Sequence, residues 1–99
     1  MKSLILTAAA GLFLATSAHA GVIESACNRS DRAAGKRQLC NCIQQVADFT
    51  LDRRDQRLAA RFFKDPHKAQ EIRQSSRAND EVFWKRYREF GSAAESYCS

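Results

Sequence analysis

The sequence lacks the signals of β-structure. No segment alternates apolar and polar residues over the length of a strand, and the hairpin dipeptides Asn-Gly and Asp-Gly do not occur. Proline is confined to Pro66, and the four glycines are scattered, so no glycine-rich phosphate-binding loop is present. These absences leave an all-α chain, for which we expect a small bundle of four to five helices.

The sequence also lacks an apolar run long enough to span a membrane. Its longest run, residues 4–15, falls short of the roughly twenty residues that a spanning helix needs. Lys2 precedes the run and Ala18-His19-Ala20 follows it, which is the pattern of a secretory signal peptide cleaved after Ala20. Gly21 follows the cleavage site instead of a cysteine, which excludes a lipoprotein. We therefore expect a periplasmic or secreted protein with no membrane span and one domain over residues 21–99.

Charge of one sign is not concentrated anywhere. The chain carries a net charge of +5, and removal of Lys2 with the leader lowers it to +4. The basic residues, mostly arginines, are interleaved with Asp and Glu instead of forming a block. Contact with anions is permitted, but nucleic acid is not the expected partner.

Helical periodicity and capping residues predict the segments. Apolar residues recur at steps of three and four in the second and last helices, where Phe49 and Cys42 flank the first stripe and Tyr97 ends the second. Ser30, Asp52, Asp65-Pro66 and Asn79 are the expected starting signals. Asp55, three residues after Asp52, resembles a capping box. The predicted helices cover residues 21–29, 31–50, 53–64, 66–74 and 79 onward. Gly35 is unfavourable in a helix and leaves a later start of the second helix open.

Four cysteines in so small an exported chain indicate a disulfide framework. Cys40 and Cys42 are poorly placed to bond each other, because two residues of helix rotate a side chain by about 200°. Cys27 and Cys98 can then join them in either of two ways, of which Cys27–Cys40 with Cys42–Cys98 is favoured. A redox pair and a thiolate metal site are the alternatives, but we expect neither a metal nor a cofactor.

Few residues are available for catalysis. His67 is the one histidine after the leader, and no serine, histidine and carboxylate triplet can be assembled by spacing. We therefore expect a protein that is not an enzyme. The first candidate binding face combines an aromatic anchor with neighbouring cations: Trp84, Lys85, Arg86 and Arg88. The second is a ridge of arginines at four-residue spacing on one helix: Arg53, Arg57 and Arg61.

Two segments, residues 59–66 (Ala-Ala-Arg-Phe-Phe-Lys-Asp-Pro) and 83–87 (Phe-Trp-Lys-Arg-Tyr), together with the cysteine near the C-terminus, resemble a group of small exported α-proteobacterial proteins. These helical, cysteine-containing proteins are functionally uncharacterised, and some bear the label "arginine transporter". For a chain without a membrane span, the resemblance implies at most a binding component.

The sequence therefore predicts an exported, non-enzymatic binding protein that docks on a protein partner through an Arg- and Trp-bearing helical face. The alternatives are an inhibitor or immunity-type protein, a periplasmic stress chaperone, and a protein that binds nucleic acid or lipid headgroups.

Overall fold

A computed structural model describes residues 21–33 and 35–99, the side chain of Arg32 excepted. The expected signal peptide, residues 1–20, lies outside the described residues. The described part is all-α, as predicted, and contains no strand. Its elements are α1 (Val22–Arg29), a 3-10 turn (Asp31–Ala33), α2 (Arg37–Thr50), α3 (Arg53–Lys64), α4 (Pro66–Gln74) and α5 (Ala78–Cys98).

The prediction that a helix begins at Asp31 is wrong. Gly35 adopts a φ of +81°, a left-handed conformation that favours glycine and cannot continue a right-handed helix. The expected cap, Ser30, instead ends α1, where its hydroxyl donates to the Cys27 carbonyl at 2.9 Å. The chain therefore makes a turn between α1 and α2, and α2 begins only at Arg37.

The central helices begin and end as predicted. Asp52 caps α3 by accepting a hydrogen bond from the Asp55 amide at 2.8 Å. Pro66 occupies the first turn of α4, where its missing amide hydrogen costs nothing. These boundaries are local events, which explains why they could be predicted from a few adjacent residues.

The start of α5 differs from the prediction. Asn79 does not cap it; the Ser75 hydroxyl accepts from the Arg77 amide at 3.1 Å and donates to Asp80 at 2.7 Å. The helix then continues through Gly91 to Cys98. The Ser75 side chain in the preceding loop thus stabilises the start of α5, where the sequence predicted a cap at Asn79.

The core is formed mainly by α2, α3 and α5, with Ile23 of α1 fully buried among them. Its centre is aromatic: the rings of Phe62 and Tyr87 meet edge to face at 5.2 Å, and Phe83 stacks on Tyr87 at 5.7 Å. Such pairs contribute about 0.5–1.5 kcal/mol each beyond the area they bury.

Two aromatic residues of the predicted helical stripes are exposed, namely Phe49, expected on the flank of the first stripe, and Tyr97, expected at the buried end of the second. Phe49 is 91% exposed and Tyr97 is 78% exposed. The inner stripe of α5 runs from Phe90 through Ala94 to Cys98, four residues apart, so Cys98 takes the inward position and Tyr97 lies beside it.

Both disulfides of the favoured pairing are present. Cys27–Cys40 joins α1 to α2, and Cys42–Cys98 joins α2 to the end of α5. Cys40 and Cys42 therefore bond to different helices, α1 and α5, because their side chains point about 200° apart around α2.

Candidate binding cleft

The residues of the first predicted face are divided among different environments. Trp84 is half-buried, and its ring packs on Tyr87 with 5.1 Å between centroids. Most of this side chain therefore supports the aromatic core, and only its remaining surface is open to a partner. Lys85 and Arg88 are exposed beside it.

Arg86 belongs to an internal contact. Its Nε and Nη2 donate to the two carboxylate oxygens of Asp55 at 2.6 and 3.0 Å, and thereby join α5 to α3. The Asp55 side chain is 5% exposed and that of Arg86 is 41% exposed. The hydrogen bond to Asp55 raises the pKa of Arg86 above its usual value, assisted by attraction from Asp55, Asp52 and Glu89 and opposed by desolvation. The arginine is thus charged at any physiological pH.

The predicted capping box does not account for this contact. The Asp55 amide does bond to Asp52, but the Asp55 carboxylate points to Arg86, 31 residues further along the chain. Nothing in the spacing of these two residues indicated the pair, because it depends on how α5 crosses α3.

The second predicted face, Arg53, Arg57 and Arg61, is exposed along α3. The three arginines border two different clefts, and Arg57 lines both. Arg53 and Arg57 line a cleft next to α2, whereas Arg57 and Arg61 line one formed by α1 and α3 alone.

The cleft next to α2 has a volume of about 540 Å³ and is lined mainly by amides and mixed charges. Gln44 crosses its floor: it accepts from the Glu24 amide at 2.8 Å and donates to Asp48 and to Gln56, both at 2.9 Å. Gln44 therefore supplies the side-chain cap that α1 lacks on its own. A Cβ added at Gly21 would collide with the end of the Gln44 side chain, so a larger residue there would have to displace this amide.

The second cleft, about 750 Å³, is the one we call the basic cleft. Its rim carries four cations, Arg29, Arg57, Arg61 and Lys64. Its apolar lining comes from Val22, Ala26, Ala60 and Phe63, and Ser25 and Ser30 complete it. No carboxylate lines it, and none of the four cations forms an ion pair with the described residues.

Arg29 and Lys64 are the cleft residues that sequence reasoning missed. Arg29 lies in the last turn of α1, where a cation also interacts favourably with the helix dipole. Lys64 continues the Arg57 and Arg61 series by one further step along α3. That step could have been found from spacing, whereas Arg29 could not, because only the packing of α1 against α3 brings it to the rim.

The described residues contain neither a metal-binding cluster nor a helix suited to a membrane. No cluster of three or more His, Cys, Asp or Glu side chains there could hold a metal ion. The exposed His67 lies 3.8 Å from Glu71 on the same helix. None of the helices described above combines the length and the hydrophobicity of a transmembrane segment.

The basic cleft is therefore a recess with exposed cations at its edge and apolar side chains beneath them.

Comparison of the chain with protein-family models, with curated proteins and with solved structures found no match in any of the three.

Proposed function

We propose that this is an exported, non-enzymatic binding protein that docks on an acidic surface of a protein partner through the basic cleft. The observation that carries the proposal is the collection of four unpaired cations around one recess, with no carboxylate among its lining residues. Arginine suits such a surface, because its planar guanidinium engages a carboxylate through two parallel hydrogen bonds.

The disulfides support the export part of the proposal. All four cysteines are paired, and paired cysteines persist in oxidising compartments such as the periplasm and the extracellular space. The leader-like segment at residues 1–20 agrees with this destination. A rigid, cross-linked scaffold also suits docking, since it loses little conformational entropy when it binds.

The test compares two doubly substituted proteins with the same change in charge. The oxidised protein, residues 21–99, is immobilised and exposed to exported proteins of the source organism. The first variant is Arg57→Glu with Arg61→Glu, in the basic cleft; the second is Lys85→Glu with Arg88→Glu, on α5. We expect the first variant to lose the captured protein and the second to retain it, because the complementary charges lie at the cleft.

The opposite pattern, with capture lost only in the α5 variant, would assign docking to the Trp84 side of the molecule. Equal capture by both variants and the unaltered protein would contradict charge-directed docking altogether. Circular dichroism of each variant establishes that the fold is retained.

A further inference from the structure

The rim cations of the basic cleft have a regular spacing. Arg57, Arg61 and Lys64 follow one another at four and three residues along α3, which places them about one helical turn, roughly 5 Å, apart. Arg29 stands on α1, the other wall. A ligand that satisfies this rim therefore needs several negative charges with a similar separation.

The lining beneath the rim is apolar and built mostly from small side chains. Ala26 and Ala60 contribute small side chains to it, and Phe63 and Val22 border it. Val22 is 43% exposed, a large fraction for an apolar side chain next to a recess. An apolar group that entered this space would remove such surface from water, which is the main favourable term in association.

The recessed shape favours a protruding occupant over a flat one. A membrane surface or a nucleic-acid duplex meets cations that project from a flat or convex face, whereas these cations line a recess of about 750 Å³. Phosphates alone would also leave the apolar lining uncovered. A peptide segment provides both carboxylates and an apolar side chain between them, as in recognition by helix grooves.

We infer that the basic cleft binds an acidic peptide segment whose carboxylates pair with the rim cations while one apolar side chain enters between Ala26 and Ala60. This inference rests on the proposed function and specifies the partner. The ligand is thus an amphiphilic peptide. Its carboxylates orient it as it approaches the cleft, and its apolar side chain distinguishes it from other acidic segments.

The test uses short synthetic probes labelled for fluorescence anisotropy. The first alternates glutamates with a central leucine, and the second replaces that leucine by serine at unchanged charge. We expect the leucine probe to bind about tenfold more tightly, in line with partial burial of one leucine side chain. Vesicles of phosphatidylglycerol and phosphatidylcholine serve as the lipid alternative.

The variants separate charge from shape. Arg57→Glu with Arg61→Glu should weaken both probes by at least about tenfold. Ala60→Leu fills the floor without altering charge and should abolish the advantage of leucine over serine, whereas Ala78→Leu, on the exposed start of α5, should leave it intact. Thermal melting of each variant excludes loss of the fold as the cause.

Equal affinity for the leucine and serine probes would overturn the apolar part of the inference and leave charge-directed docking in place. Binding to the vesicles without binding to either peptide would overturn the inference and the proposed function together. Absence of any binding by the unaltered protein would also refute the inference.

Discussion

The two disulfides are attached to α2 two residues apart, at Cys40 and Cys42, yet their surroundings differ. The first is enclosed, with Cys27 1% and Cys40 0% exposed, and it packs with Ala33. The second is half-buried at the free end of α5. The enclosed disulfide closes the shorter loop, since the sequence separation is 13 for Cys27–Cys40 and 56 for Cys42–Cys98.

The difference shows which cross-link is connected to the basic cleft. Phe63, a lining residue of the cleft, also packs against the cluster formed by Cys27, Ala33 and Cys40. The enclosed disulfide therefore holds α1 in the position from which Arg29 reaches the rim. Cys42–Cys98 fastens α5, none of whose residues lines the cleft.

Of the two disulfides, deletion of the enclosed pair should have the larger effect. Loop-closure entropy assigns about 3 kcal/mol to a loop of this length, and loss of two buried sulfurs adds about 1 kcal/mol each. Cys27→Ala with Cys40→Ala should thus lower the free energy of unfolding by about 5 kcal/mol, measured by urea denaturation. It should also weaken binding to the basic cleft.

The matched variant is Cys42→Ser with Cys98→Ser. The longer loop predicts a loss of about 4 kcal/mol, but the cleft should keep its affinity. A larger destabilisation in this variant than in the first would mean that loop length outweighs burial, and the comparison would be reversed. Full reduction of both bonds should unfold or loosen the protein, because the combined loss matches the stability of a small domain.

Selective reduction of Cys42–Cys98 should destabilise the protein about as much as its deletion. Thiol exchange requires access to a sulfur, so a mild reductant should open Cys42–Cys98 before Cys27–Cys40. The intermediate would then be destabilised by about 4 kcal/mol, the contribution of the longer loop. Alkylation of quenched samples followed by peptide mass mapping identifies the free cysteines.

Labelling of Cys27 and Cys40 at the same rate as Cys42 and Cys98 would contradict the prediction. It would show that the two bonds open only in a common, largely unfolded state. Slower labelling of Cys27 and Cys40 than of Cys42 and Cys98 would support the prediction that the enclosed disulfide is reduced last.

The smallest effect concerns the contact that fastens α5 without sulfur. Arg86→Met leaves the buried Asp55 carboxylate without its bidentate partner and should cost about 2 kcal/mol. Asp55→Asn should cost about 1 kcal/mol, because the half-exposed Arg86 can turn to water. Thermal unfolding of both variants at one pH checks the order.

A larger loss from Asp55→Asn would indicate that the charge of Asp55 near the start of α3, and not its pairing with Arg86, dominates. Repetition of both substitutions in the Cys42→Ser, Cys98→Ser background measures coupling. A greater cost there would show that the ion pair and the disulfide share the task of holding α5.

Much of the framework was predictable because its causes are local. The limits of α3 and α4 follow from Asp52 and Pro66, which act on the residues next to them. The prediction that α2 starts at Asp31 and the prediction that Asn79 caps α5 were wrong for a related reason. Gly35 has a left-handed backbone and Ser75 bonds to Asp80, and neither feature changes the apolar periodicity that was used to place the helices.

The sequence by itself determined the all-α class, the limits of the central helices and, through the opposed directions of Cys40 and Cys42, the absence of a bond between these two cysteines. The tertiary structure decided which of the two remaining pairings forms. Tertiary structure alone decided that Arg86 pairs with Asp55 and that Arg29 joins Arg57 and Arg61 around one recess. The physical reason is distance along the chain. Helical periodicity shows which residues share a face, but the angle at which two helices pack decides which faces meet.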